Sequence, residues 1–115
     1  MGFPGMAIYQ ETEKLINKMV EKIISEYTPQ KVILFGSYAD RTAGPDSDVD
    51  LLIIKDTSER FIDRWVRVHE ILTDMHRSIP LEPVVLTSRE LEKRLEIGDQ
   101  FIQDIIENGK VLYAR

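Results

Sequence analysis

Residues 32–54 read VILFGSYADRTAGPDSDVDLLII, two apolar runs joined by a polar segment. The first run, 32–35, and the second, 51–54, are short and rich in β-branched and large aliphatic side chains. This pattern predicts two buried strands. The remainder of the chain is expected to position and cover these two strands.

The first of these strands ends abruptly at Gly36 and Ser37. A glycine at the exit of a strand indicates either a close approach of the backbone or a positive φ. Ser37 is predicted to cap a short helical turn over residues 38–41. Backbone N–H groups that point outward at such a turn can bind phosphate. A plain turn is the alternative, and the dipeptide alone does not distinguish the two.

Two aspartates, Asp48 and Asp50, stand at the start of the second strand. Residues two apart on a strand leave the same face, about 6.6 Å apart along the backbone. Paired carboxylates repel one another unless a cation lies between them, and oxygen ligands of this kind suit Mg²⁺. The alternative is an exposed strand end whose carboxylates face water. Together with the Gly-Ser turn, the pair indicates nucleotide chemistry without choosing a reaction.

The overall composition limits the classes of protein that fit. The chain has 115 residues and predicts one domain over residues 7–115, preceded by a disordered tail over residues 1–6. Its formal charge of −5 argues against direct binding of nucleic acid. The absence of cysteine excludes disulfides and thiolate metal sites and fits a cytoplasmic protein. No apolar run approaches the roughly 18 residues of a membrane span, so no membrane association is expected.

The periodicity and punctuation of the remaining chain predict an α/β (α+β) domain, a small mixed sheet of three or four strands covered by helices. A helix between the second and third strands is a crossover that places these strands in parallel. The predicted elements are a helix over 8–27, strands over 31–35, 49–54 and 81–86, helices over 57–78 and 88–96, a helical face over 101–106 closed by Asn108-Gly109, and a short strand over 111–113.

The third strand carries Glu82 as its second residue. This position is early in its strand, as Asp48 and Asp50 are in theirs, so three carboxylates are expected to share one edge of the sheet. Pro83 lacks a backbone donor and indicates an edge strand or a bulge. Without the aspartate pair, Glu82 would be interpreted as a surface residue.

The long helix over 57–78 carries Arg60, Arg64 and Arg67 at steps of four and three, which predicts a basic stripe on a solvated face. A docking surface for an acidic partner is the alternative. His69 and His76 are seven residues apart, too far for chelation of one metal, and are interpreted as partly buried or surface histidines.

The order of these features resembles the minimal nucleotidyltransferases of the DNA polymerase β superfamily. The resemblance rests on Gly36-Ser37, ten intervening residues, Asp48-Val49-Asp50, and then a helix and a strand bearing Glu82. It covers nearly the whole chain.

The resemblance implies a role for each of these positions. Gly36 and Ser37 would contact the triphosphate of ATP, and Arg41 would contact a phosphate, with a salt bridge as its alternative. Asp48 and Asp50 would hold two Mg²⁺ ions. Glu82 would complete one metal shell and help to deprotonate the attacking hydroxyl. The third acid of the family is often aspartate, so the longer Glu82 is a departure.

Small members of this family commonly pair with a HEPN-domain protein. The resemblance therefore implies an antitoxin that transfers AMP from ATP to a tyrosine of a partner toxin, an RNase, and associates with it. The alternatives are a non-catalytic antitoxin that binds the toxin directly, nucleotidyl transfer to a small molecule such as an aminoglycoside, and a metal-binding domain without transfer activity.

Overall fold

The structure is a computed structural model that describes residues 4–44, 46–75 and 79–115, with the side chains of residues 4–9 left outside the description. Its elements in chain order are α1 (Pro4–Tyr27), β1 (Lys31–Phe35), α2 (Ser37–Asp40), β2 (Val49–Ile54), α3 (Phe61–Ile71), a 3₁₀ turn (Thr73–Met75), β3 (Leu81–Leu86), α4 (Ser88–Glu96), α5 (Gln100–Asn108) and β4 (Lys110–Ala114). α1 begins at Pro4, inside the segment that the sequence assigns to the N-terminal tail.

The four strands form one mixed sheet in the order β3-β2-β1-β4. β1 runs antiparallel to both β2 and β4, whereas β2 and β3 are parallel, as the crossover through α3 requires. The predicted mixed sheet is confirmed. β3 is an edge strand, which explains how Pro83 is accommodated there.

Helices cover both faces of the sheet, and alternation along each strand assigns its residues to one face or the other. α1 and α3 pack on the face that carries Val49, Leu51 and Ile53. α4 and α5 pack on the face that carries Leu52 and Ile54. β2 is therefore apolar on both sides, as a central strand between two helical layers must be.

α1 buries one stripe of its surface, as the apolar spacing predicts. Its buried residues recur at steps of three and four: Ile16, Met19, Val20, Ile23 and Tyr27. The Tyr27 hydroxyl donates a 3.0 Å hydrogen bond to Glu59, in the loop before α3. No described helix has the length and apolar character needed to cross a bilayer.

α3 is shorter than the sequence predicts. It begins at Phe61 rather than at residue 57, because Thr57 accepts a 3.1 Å bond from the Glu59 amide and so forms a turn. It ends at Ile71, and the predicted continuation to residue 78, with His76, falls partly outside the described residues. Four of its large apolar residues are exposed: Phe61, Ile62, Trp65 and Val66.

The predicted arginine stripe on α3 is wrong, because Arg64 is buried at 6 % exposure. Its guanidinium donates to the backbone carbonyl of Glu59 at 2.9 Å and to the carboxylate of Glu90 at 2.6 Å. Arg60 remains on the surface, paired with Asp63 at 2.9 Å. Arg64 therefore joins α3 to the start of α4 instead of facing solvent.

A capping box starts α4, with Thr87 and Glu90 each bonding the other's backbone N–H. At the end of α5, Gly109 has φ −71 and so lacks the left-handed conformation that is common for a glycine closing a helix. A Cβ at Gly109 would lie 2.6 Å from Cγ2 of Ile33 and would also meet the carbonyl of Ile105. The glycine is required by this close helix-to-sheet approach.

Candidate active site

Three side chains form a row across the sheet face that α5 covers. Asp50 on β2 is in register with Phe35 on β1 and with Glu82 on β3. Strand alternation places Asp50 on the same face as Leu52 and Ile54, and Glu82 on the same face as Val84 and Leu86. The structure therefore brings the two predicted carboxylates together as neighbours on adjacent strands.

Asp48 lies just before β2 and is exposed, two residues from the half-buried Asp50. Burial raises the pKa of the Asp50 carboxyl, and the nearby charges of Asp48 and then Glu82 raise it further. Asp48 and Glu82 are thus both close enough to Asp50 to act electrostatically on its carboxyl. The site carries negative charge that a cation would relieve.

Gly36 lies directly against Asp50. It has φ 76 and ψ −155, a conformation that glycine adopts far more readily than other residues. A Cβ built on Gly36 would lie 3.2 Å from Cγ of Asp50 and closer still to Oδ2. Both expectations for this glycine, a positive φ and a close backbone approach, are confirmed.

Ser37 is the first residue of α2. The N-cap position before it is Gly36, which has no side chain with which to cap the helix. The predicted capping role of Ser37 is therefore wrong. Arg41 follows α2 with a left-handed φ of 59 and lines a cleft of about 260 Å³ on the α1 side, with Glu13 and Lys110. A phosphate contact by Arg41 stays a prediction.

The described residues contain no group of three or more acidic or histidine side chains arranged to hold a metal ion. Asp48, Asp50 and Glu82 nevertheless supply the hard oxygen donors that Mg²⁺ prefers. Mg²⁺ is usually bound by one or two carboxylates and completes its shell with water and substrate phosphates. The oxygen donors of these residues are therefore of the type that binds Mg²⁺. Asp48 and Asp50 are the two that lie nearest each other along the chain.

The site also contains an aromatic pair that the sequence did not predict. Phe101 of α5, which the apolar spacing assigns to a helical face, is 54 % exposed and meets Phe35 edge to face, with ring centroids 5.6 Å apart. Both rings line a groove of about 350 Å³ between α2 and α5, and Gly36 lines it as well. We call it the α2–α5 groove. No sequence signal distinguished Phe101 from its buried neighbour Ile102.

Residues 17–115 match the family model described as "Polymerase beta, Nucleotidyltransferase". The chain belongs to the polymerase β nucleotidyltransferase family. The predicted family is thus confirmed, and this nucleotidyltransferase carries its acids and its Gly-Ser turn inside the matched region.

Two relatives from Methanocaldococcus jannaschii are similar over most of this nucleotidyltransferase. "Putative protein adenylyltransferase MJ1305" is 32 % identical over 112 residues, which cover 90 % of this chain and 75 % of the relative. "Putative protein adenylyltransferase MJ0604" is 30 % identical over 104 residues, covering 88 % of this chain and 97 % of the relative.

Two solved structures share the fold. A "putative nucleotidyltransferase" from Sulfolobus solfataricus superposes with a TM-score of 0.65 at 19 % identity, covering all of this chain and 91 % of the other. A toxin–antitoxin with AMP-PNP superposes with a TM-score of 0.63 at 20 % identity, covering 86 % of this chain and 73 % of the other. At these identities the likeness establishes the fold alone.

Proposed function

We propose that this nucleotidyltransferase is an antitoxin that transfers AMP from ATP to a tyrosine of a cognate HEPN-domain RNase toxin. The observation that carries the proposal is the register of Asp50 with Glu82, beside a glycine that admits no side chain. The names of both M. jannaschii relatives and the fold shared with a toxin–antitoxin support it. The cysteine-free sequence is compatible with a cytoplasmic location.

In this proposal the triphosphate lies over the backbone of Gly36 and Ser37, with Arg41 as a further phosphate contact. Asp48 and Asp50 would hold Mg²⁺, with Glu82 as the third acid. Two bound Mg²⁺ ions would supply the positive charge that favours attack and stabilises the leaving pyrophosphate. The same charge would offset the repulsion between Asp50 and its acidic neighbours.

The transfer forms a bond between the acceptor tyrosine oxygen and the α-phosphorus of ATP. The bond from that phosphorus to the bridging oxygen breaks, and pyrophosphate departs with the bonding electrons. The proton of the tyrosine hydroxyl passes to Glu82, whose exposed carboxylate lies beside Asp50 at the edge strand. An edge strand leaves that side of the carboxylate open to a protein acceptor.

The test is mass spectrometry of a HEPN-domain partner after incubation with this protein and Mg-ATP. We expect adducts of AMP mass on the partner, and none with Asp48→Asn or Asp50→Asn. Adducts that persist in both variants would overturn the assignment of these acids. Glu82→Gln should slow the transfer and leave ATP binding largely intact, whereas an unchanged rate would remove Glu82 from the reaction.

Stoichiometry separates catalysis from simple blocking of the toxin. An enzyme inactivates an excess of toxin when Mg-ATP is present. A non-catalytic antitoxin needs one copy per toxin and no ATP. AMP transfer to a small molecule, with none to the protein partner, would instead favour the aminoglycoside type of acceptor.

A further inference from the structure

The α2–α5 groove opens from the proposed triphosphate site. Gly36 belongs to both, since it lines the groove and lies against Asp50. Phe35, the register partner of Asp50, forms part of the groove wall, and Phe101 covers Phe35 from α5. A molecule that extends from the acids past Gly36 on this face therefore enters the groove.

We propose that the α2–α5 groove binds the nucleoside part of the nucleotide substrate, with the ring of Phe101 against the base. This proposal rests on the proposed function, because it takes the triphosphate to lie at Gly36 and the acids. It adds the direction in which the nucleotide lies and a residue that recognises its base.

The charge of the groove favours this orientation. Asp40 and Asp104 line it, and no lysine or arginine does so among the described residues. Two carboxylates repel a triphosphate and accept hydrogen bonds from the neutral, donor-rich nucleoside, through ribose hydroxyls or the exocyclic amine of a base. One oxygen of Asp104 already receives a long 3.5 Å bond from Gln100, which leaves its second oxygen for a ligand.

The aromatic wall suits a base. Phe101 has more than half of its surface in water although it packs against Phe35 at an interplanar angle of 83°. An exposed phenyl ring offers a flat apolar surface on which any nucleobase can stack. The groove volume of about 350 Å³ lies at the lower end of the range for small-ligand pockets.

The test compares the binding of two ligands by isothermal titration calorimetry in the presence of Mg²⁺: ATP, and inorganic tripolyphosphate, which lacks a nucleoside. Phe101→Ala should weaken ATP binding by roughly ten-fold or more, with tripolyphosphate binding unchanged. Phe101→Leu keeps an apolar contact with Phe35 and should show the same selective loss if Phe101→Ala folds poorly. Phe101→Trp keeps an aromatic ring and should bind ATP about as tightly as the wild type does.

Phe61→Ala is the matched control, because Phe61 is 58 % exposed on α3 and lies outside the groove. It should bind both ligands as the wild type does. Equal losses for ATP and tripolyphosphate in the Phe101 variants would overturn the proposal, as would wild-type protein that binds ATP no more tightly than tripolyphosphate.

The two proposals fail in different ways. Selective loss of ATP binding in the Phe101 variants, together with no AMP transfer to any HEPN-domain partner, would contradict the proposed acceptor and leave the nucleoside site in place. AMP transfer to the partner, together with unchanged ATP binding in the Phe101 variants, would support the proposed acceptor and contradict the nucleoside site.

Discussion

The backbone of Gly36 lies so close to the carboxylate of Asp50 that a Cβ at residue 36 would come within 3.2 Å of Asp50 Cγ and nearer still to Oδ2. One residue at the exit of β1 thus sets the space around an acid on β2. The positive φ of Gly36 adds a second, independent reason for glycine at this position.

Gly36→Ala should therefore impair both stability and activity. A non-glycine residue in this backbone conformation costs about 1–3 kcal/mol, and the new methyl group must displace the Asp50 carboxylate. A displacement of about 1 Å at a reacting centre can lower the rate about a hundred-fold. Thermal unfolding and the AMP-transfer rate are the two measurements.

Gly98→Ala separates these effects. Gly98 also has a positive φ, 75, but a Cβ there has nothing within 4 Å. The variant should lose about 1 kcal/mol of stability from backbone strain and keep its transfer rate. Equal activities of the two variants would show that contact with Asp50 is irrelevant to function.

Asp50→Asn should abolish transfer and yet raise the melting temperature of the metal-free protein at neutral pH. Burial and the charges of Asp48 and Glu82 raise the folded-state pKa of Asp50. At pH values between the unfolded and folded pKa of Asp50, folding is accompanied by binding of a proton, so stability falls as pH rises through that interval. Above the interval, the ionised carboxylate destabilises the folded state by its full amount. Asparagine removes the penalty.

The measurement is a pair of melting curves, one at neutral pH and one below the usual pKa range of aspartate. The gain of Asp50→Asn should be present in the first and absent from the second. Asp46→Asn, at an exposed residue of the loop before β2, should change neither curve. A lower melting temperature for Asp50→Asn at neutral pH would contradict the electrostatic account.

Glu90→Gln should destabilise the protein by about 1–2 kcal/mol at neutral pH, because the buried guanidinium of Arg64 loses its charged partner. Glutamine can still complete the capping box. The hydrogen bond from Arg64 lowers the folded-state pKa of Glu90. The stabilisation is therefore complete above the unfolded pKa and is lost as pH falls through the folded one.

Urea unfolding as a function of pH tests this, and the difference between wild type and Glu90→Gln should vanish in acid. Asp63→Asn provides the comparison, because its ion pair with Arg60 is exposed and should contribute little to stability. Equal losses in the two variants would mean that the burial of Arg64 has no energetic consequence.

Gly109→Ala should cost about 1–3 kcal/mol through overpacking alone, since its φ of −71 suits any residue. The new methyl group would lie 2.6 Å from Ile33 Cγ2 and 3.2 Å from the carbonyl of Leu34. Gly44→Ala, where nothing lies within 4 Å, should be close to neutral. Chemical denaturation gives the unfolding free energy of both variants, and equal values would contradict the close approach of α5 to the sheet at Gly109.

Much of the fold follows from local sequence. The bounds predicted for β1, β2 and β3 agree with the structure, because each is a short apolar run bounded by turn residues. The capping box at Thr87 and the glycine at residue 36 are likewise local signals, each imposed by the backbone of a few neighbouring residues.

Other features depend on which elements meet in space. Phe61, Ile62 and Trp65 are apolar but exposed on α3, whereas Arg64 is buried and bonds the Val85 carbonyl on β3 and the Glu90 carboxylate on α4. The sequence alone determined the strands, the acids that they carry and the glycine between them. Tertiary structure decided the register of the strands, which places Glu82 and Phe35 on either side of Asp50, and it also placed Phe101 against Phe35. Pairing across strands depends on residues far apart in the chain, so local sequence does not determine it.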